Sequence, residues 1–118
     1  MEFGNLIKFL KKQPSKKEQL AAVQQSGYNI RYIHNPDKEI QLAAVQNDGY
    51  SIRFIHNPDK EVQLAAVQQY GSSIQYINNL TPELLVAYLN SKECPQELKE
   101  YLSDPKFDPQ KLFLIKGR

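Results

Sequence analysis

Residues 15–36 read SKKEQLAAVQQSGYNIRYIHNP, residues 37–58 read DKEIQLAAVQNDGYSIRFIHNP, and residues 59–80 read DKEVQLAAVQQYGSSIQYINNL. A 22-residue unit is therefore written three times in succession, with about two thirds of positions shared between neighbours. Self-similarity at such a period is the signature of a stacked array in which one supersecondary unit buries its apolar surface only against the next. Because the polar positions repeat as well, equivalent side chains form ladders along the array, and a surface rather than a pocket is the place to look for function.

Each unit has two halves. Asn35-Pro36-Asp37-Lys38-Glu39 and its copy Asn57 to Glu61 place a capping side chain before a proline suited to a first helical turn, with an acid near the positive end of the helix dipole. The helix so begun runs through Ile40, Leu42, Ala43, Ala44 and Val45, and glycine at positions 27, 49 and 71 predicts a left-handed stop. Its apolar residues lie on more than one side, so it is expected to be clamped between neighbouring units, with the paired alanines allowing close approach. The second half, Tyr50 to Ile55, reads as a short helix through Ile52/Ile55 and Tyr50/Phe54, while its alternation also fits a strand. Fold class follows: an all-α short solenoid of helix-turn-helix repeats with modified caps. A leucine-rich-repeat-like α/β horseshoe is the alternative, against which stands the missing L-x-x-L-x-L run.

The chain reads as a single domain. Residues 1–14 form an N-terminal half-repeat cap, since Ile7 to Lys11 resembles Ile30 to His34; residues 15–80 hold the three repeats; and residues 81–118 hold a degenerate fourth repeat and C-terminal cap. In that last segment Thr81 is a helix cap, Val86 takes the Leu64 position, Cys94-Pro95 opens another helix, and Leu112 to Ile115 is a final apolar piece.

A composition of 41% hydrophobic and 24% charged residues is ordinary for a globular domain. No apolar run reaches the roughly 20 residues of a membrane span, and no leader pattern opens the chain, so a soluble cytoplasmic protein is expected. The net charge of +2 is unevenly placed, with six Lys/Arg against two Glu in residues 1–35 and three against five acids in residues 36–79.

The string VQLAAVQ, followed by Gly, Tyr, Ile, an aromatic, Ile and Asn-Pro, resembles a repeat family known as a domain of unknown function whose members read roughly VQLAAVKQNGYAIQYIKNP. The resemblance covers residues 15–80 and implies helical hairpins and a phage, large-DNA-virus or mobile-element source. It supplies no catalytic residues. A small phage protein of this kind would act on a host protein, an antiviral defence component among them, an expectation that rests on source alone.

Lys8, Arg31, Arg53 and Gln75 occupy equivalent places, and Lys11, His34, His56 and Asn78 form a neighbouring ladder. Stacked helices about 10 Å apart turn these into two polar stripes, with the arginines suited to bidentate contact with carboxylate or phosphate. A solvated face copied along with its repeat accounts for the same pattern. Tyr70 replaces Ser26 and Asp48 at a loop position and is a candidate anchor; the other repeated aromatics read as core. Partner-binding candidates are thus Arg31, Arg53, His34, His56, Tyr70 and Gln75. Candidate phosphate ligands for the alternative, nucleic-acid-binding reading are Lys8, Lys11, Lys12, Lys16 and Lys17.

His34 and His56 lack the further convergent ligands a metal needs, and no phosphate loop, HExxH or GxSxG is present, so neither a metal, a cofactor nor catalysis is expected. The ladders Gln19/Gln41/Gln63 and Gln24/Gln46/Gln68 are read as structural, through amides bonding between repeats. Function is therefore expected to be non-catalytic protein binding. Nucleic-acid binding is the first alternative and structural self-association the second; the oligomeric state is left open.

Overall fold

The computed structural model describes residues 14–106. Residues 1–13 of the expected N-terminal half-repeat, with Lys8, Lys11 and Lys12, and the apolar piece Leu112 to Ile115 lie outside the described residues. Helices α1 (Lys16–Gln25), α2 (Lys38–Asn47) and α3 (Lys60–Gln69) alternate with 3₁₀ helices η1 (Gly27–Tyr32), η2 (Gly49–Phe54) and η3 (Gly71–Tyr76), and α4 (Pro82–Leu89) and α5 (Gln96–Leu102) follow. Each α helix packs on the α helix of the next repeat, each η helix on the next η helix, and α2 also sits on η1. The described chain is a two-layered short helical solenoid. It contains no strand, which settles the second half-repeat as helix and rules out the α/β horseshoe.

Ladders of identical or similar residues make the core. Val23, Val45 and Val67 are fully buried, as are Ala44 and Ala66, and Ile40, Val62 and Leu84 continue one position from repeat to repeat. Burial of each valine, isoleucine or leucine of these ladders contributes about 1.5–3 kcal/mol, and it depends on the neighbouring repeat. The first repeat carries Glu18 at the Ile40 position. There its carboxylate accepts from the Ser15 N–H (2.9 Å) while Ser15 Oγ accepts from the Glu18 N–H (3.1 Å), a capping box in place of an apolar contact.

The helix starts differ in detail from the expectation. Asn35 and Asn57 do not cap; they adopt φ of 49° and 51°, a left-handed conformation that asparagine tolerates better than most residues. The caps are Asp37 and Asp59, whose Oδ1 atoms accept from Ile40 N–H and Val62 N–H at 3.0 Å, so each proline lies just before the helix. The first glutamine ladder is structural but local: Gln19, Gln41 and Gln63 donate from Nε2 to the carbonyls of Pro14, Pro36 and Pro58 at 2.9–3.2 Å, tying each helix to its own entry loop. Thr81 does cap α4, with Oγ1 accepting from Leu84 N–H at 3.3 Å.

The repeated glycines also act differently. None has positive φ. They are required because the next repeat presses on them: a Cβ on Gly27 would collide with the Ala44 carbonyl oxygen and Ser51 Oγ, and one on Gly49 would lie 2.6 Å from the Ala66 oxygen and 2.9 Å from Ser73 Oγ. Ser51 and Ser73 are fully buried in this seam, with hydroxyls that find no hydrogen-bond partner among the described residues. Across the first seam Asn47 Oδ1 accepts from Gly27 N–H at 2.7 Å and its Nδ2 donates to the Gln24 carbonyl at 3.1 Å. Glu93 takes that place in the last seam, accepting from Gly71 N–H at 2.7 Å.

One edge of the stack is an ion-pair ladder. Lys16 reaches forward to Asp37 (3.3 Å) and Glu39 (3.1 Å), and Lys38 repeats the contact with Asp59 and Glu61 one unit on. The capping hydrogen bond from Ile40 N–H, followed by Lys16, holds the Asp37 carboxyl below its ordinary value; Val62 N–H and Lys38 do the same for Asp59. Carboxyls depressed in the folded state contribute stability that is present above the unfolded value near 4 and lost as pH falls through the folded one.

Three outcomes follow from this packing. Ala44→Leu should overfill the α layer and lower stability by about 1–3 kcal/mol, read as a shift of the urea midpoint; an unchanged midpoint would mean Ala44 is not buried between repeats. Gly49→Ala should also destabilise by more than about 1 kcal/mol, now through collision with the Ala66 carbonyl rather than through backbone strain. The pair Asp37→Asn and Asp59→Asn keeps a capping side chain but removes the titrating group, so the fall in melting temperature below pH 4 should flatten.

Candidate functional site

The η helices decide what the opposite edge presents. With three residues per turn, side chains at i and i+3 eclipse one another. Gly49 and Ile52 therefore share the buried side with Ile55 just beyond, whereas Tyr50 and Arg53 share the outer side, and the same holds for Tyr28 and Arg31 in η1. This register places arginine beside aromatic rings in successive repeats.

The Tyr28 and Phe54 rings meet edge to face across the first seam, with centroids 5.6 Å apart. Arg31 lies over Tyr32 (4.7 Å from guanidinium carbon to ring centroid) and reaches Phe54 (5.9 Å); Arg53 lies over Phe54 (4.7 Å) and Tyr28 (5.2 Å). Both guanidinium groups are thus stacked on carbon, each such contact being worth about 0.5–1 kcal/mol at an exposed site. No ion pair to either arginine exists among the described residues, in contrast to Lys16 and Lys38 on the other edge.

The second seam continues the surface without charge. Tyr50 packs edge to face on Tyr70 (4.5 Å) and on Tyr76 (5.6 Å), and Gln75, at the arginine position, donates from Nε2 to the Ser72 carbonyl (3.0 Å) and towards the Tyr50 hydroxyl (3.4 Å). The Tyr70 hydroxyl beside it, then partial desolvation, raises the Tyr50 phenol above its ordinary value.

The structure brings Arg31, Arg53, Gln75 and Tyr70 into one surface with Tyr28, Tyr32, Tyr50, Phe54 and Tyr76. Tyr70 is a half-buried member of this aromatic cluster rather than an isolated loop anchor. The repeated aromatics are not a buried core either: Tyr32 and Tyr76 are 37% and 40% exposed, and Tyr28, Tyr50 and Phe54 are half-buried. Their part in the site was hidden because the sequence suggests i, i+4 pairing within a helix, whereas the rings pair between repeats. His34 and His56 are exposed on the loop following each η helix. Lys17 is exposed on α1, and Lys16 is engaged by Asp37 and Glu39.

No cluster of three or more potential metal ligands occurs among the described residues. Cys94 is buried, and desolvation pushes its thiol above the usual range, which disfavours the nucleophilic thiolate. No described helix is long and apolar enough to cross a membrane.

The family described as Domain of unknown function (DUF4116) matches residues 19–58 and, overlapping them, residues 37–80. The chain belongs to this family. No curated protein and no solved structure matches it. The family match spans the repeats that carry Arg31, Arg53 and the paired rings, so the surface is built on the family's own segment.

The tyrosine cluster offers a direct check of this geometry. Replacing Tyr70 by Phe removes the hydroxyl beside Tyr50, so the phenolate absorbance titration should shift towards lower pH with the fold retained. An unshifted titration would place Tyr70 away from Tyr50.

Proposed function

We propose that the chain is a non-catalytic protein-binding repeat module that works by occlusion, laying its arginine and aromatic edge over a functional surface of another protein. The observation that carries the reading is the stacking of Arg31 and Arg53 on Tyr28, Tyr32 and Phe54 without a carboxylate partner among the described residues. Arginine and tyrosine are the residue types that dominate interface energetics, and here the stack holds them in place before any partner arrives, which lowers the ordering cost of association. The surrounding repeats are packed on one another through buried seams and present these side chains along one edge, as an occluding surface requires. In the phage or mobile-element setting that the resemblance implies, the partner is a host protein, with antiviral defence components as the first class to screen.

Nucleic-acid binding is favoured less by the same geometry. Base stacking needs open ring faces, but Tyr28, Tyr32 and Phe54 each have a guanidinium over the ring. Lys16 is in addition paired with two carboxylates.

Capture from nuclease-treated host lysate tests the reading. The Arg31→Glu, Arg53→Glu double variant should lose the captured protein while its melting temperature falls only slightly, by the lost stacking of about 0.5–1 kcal/mol per residue. A partner retained in full by the double variant would reduce the edge to a solvated face. A partner that disappears on nuclease treatment and weakens steeply with salt would make the protein a nucleic-acid binder.

A further inference from the structure

The two arginines point to the chemistry of what the edge takes. Each guanidinium sits over an aromatic ring, Arg31 over Tyr32 and Arg53 over Phe54, and its fork of N–H groups has no ion-pair partner among the described residues. Such a fork matches a carboxylate through two parallel N–H···O bonds. The acids of the repeats are committed elsewhere: Glu18 accepts from Ser15 N–H in its capping box, Asp37 and Asp59 cap helices and pair with Lys16 and Lys38, Glu39 and Glu61 join the same pairs, and Asp48 accepts from Tyr50 N–H at 3.0 Å. The edge therefore offers two equivalent cationic forks that the described repeats do not neutralise.

Their separation is one repeat. Neighbouring helices pack 8–10 Å apart, and an extended chain in the polyproline-II conformation rises about 3.1 Å per residue with three residues per turn, so side chains at i and i+3 face the same way at about the spacing of one repeat. In the third repeat the position is Gln75, whose amide nitrogen is held by Ser72 and Tyr50 and which carries no charge. Along the described repeats the series is cationic, cationic, neutral, and it fixes the direction in which charge is needed.

We propose that this edge binds an extended acidic segment of a protein, with carboxylates three residues apart seated on Arg31 and Arg53 and an uncharged continuation lying over Gln75 and Tyr76. This rests on the protein-binding reading and adds to it the charge, conformation and spacing of the partner. The exposed ring of Tyr76 gives the segment an apolar contact beyond its two charged ones.

The test uses the full chain and fluorescein-labelled Gly/Ser peptides carrying two glutamates, read by fluorescence anisotropy. A peptide with glutamates at i and i+3 should bind, and each Glu→Gln replacement should weaken it about tenfold, the usual scale for loss of a hydrogen-bonded charge contact. Moving the glutamates to adjacent positions should cost about as much as losing one of them. Arg31→Gln and Arg53→Gln should each remove the preference for the matching glutamate, with the circular dichroism spectrum unchanged, and Arg→Lys should restore it only in part because the ammonium lacks the fork. Binding that ignores the glutamates or their spacing, or that survives both Arg→Gln changes, overturns the proposal. So does tighter, strongly salt-dependent binding of a labelled oligothymidylate. If none of the peptides binds while the Arg→Glu variant still loses its lysate partner, the acidic-segment inference fails and the broader protein-binding reading stands.

Discussion

The whole arrangement depends on how closely one repeat approaches the next. At Gly27 and Gly49 the backbone carbonyl of the following α helix occupies the space a Cβ would need, and the small Ser51 and Ser73 side chains fill what remains. A side chain at either glycine would lift the next repeat away, thinning the contact between valine and alanine ladders on which burial depends. The same approach sets the distance between η helices, and hence whether Tyr28 meets Phe54 and Arg53 spans both rings. Core and candidate site are two readouts of one seam.

The two edges of the stack show how a duplicated unit keeps its charges apart. On the α edge Lys16 and Lys38 each reach forward to two acids of the next repeat, so these cations are neutralised within the stack. On the η edge the equivalent reach is made by arginine to aromatic rings, which fixes the guanidinium without neutralising it. Exposed ion pairs of the first kind contribute little to stability. The second kind leaves hydrogen-bonding capacity for a partner.

Much of this was legible from the chain. The period, the α helices, the two-layered stack and the Thr81 cap all follow from patterns that three copies reinforce. The placement of the caps was off by two residues because Asn-Pro looked like a helix start, whereas the left-handed turn at Asn35 leaves Asp37 as the residue whose carboxylate faces Ile40 N–H. The glycines resemble left-handed helix stops in sequence, although their φ angles are negative and their role is to admit a neighbour that no single repeat contains. The arginine stripe could be listed by position, but its stacking could not, because 3₁₀ geometry shifts the pairing from i, i+4 within a helix to rings contributed by adjacent repeats. Long-range contacts were visible wherever every repeat makes them with the same residue, and hidden where one residue type meets a different one.

The central claim, that stacked repeats hold Arg31 and Arg53 on aromatic faces, is tested most directly by proton NMR of the side chains. The δ-methylene protons of both arginines should appear upfield of their ordinary positions, shifted by the ring currents of Tyr32, Phe54 and Tyr28, and should show cross-relaxation to those rings. Ordinary shifts for both arginines, in a chain whose valine and alanine ladders show the expected inter-repeat contacts, would contradict it.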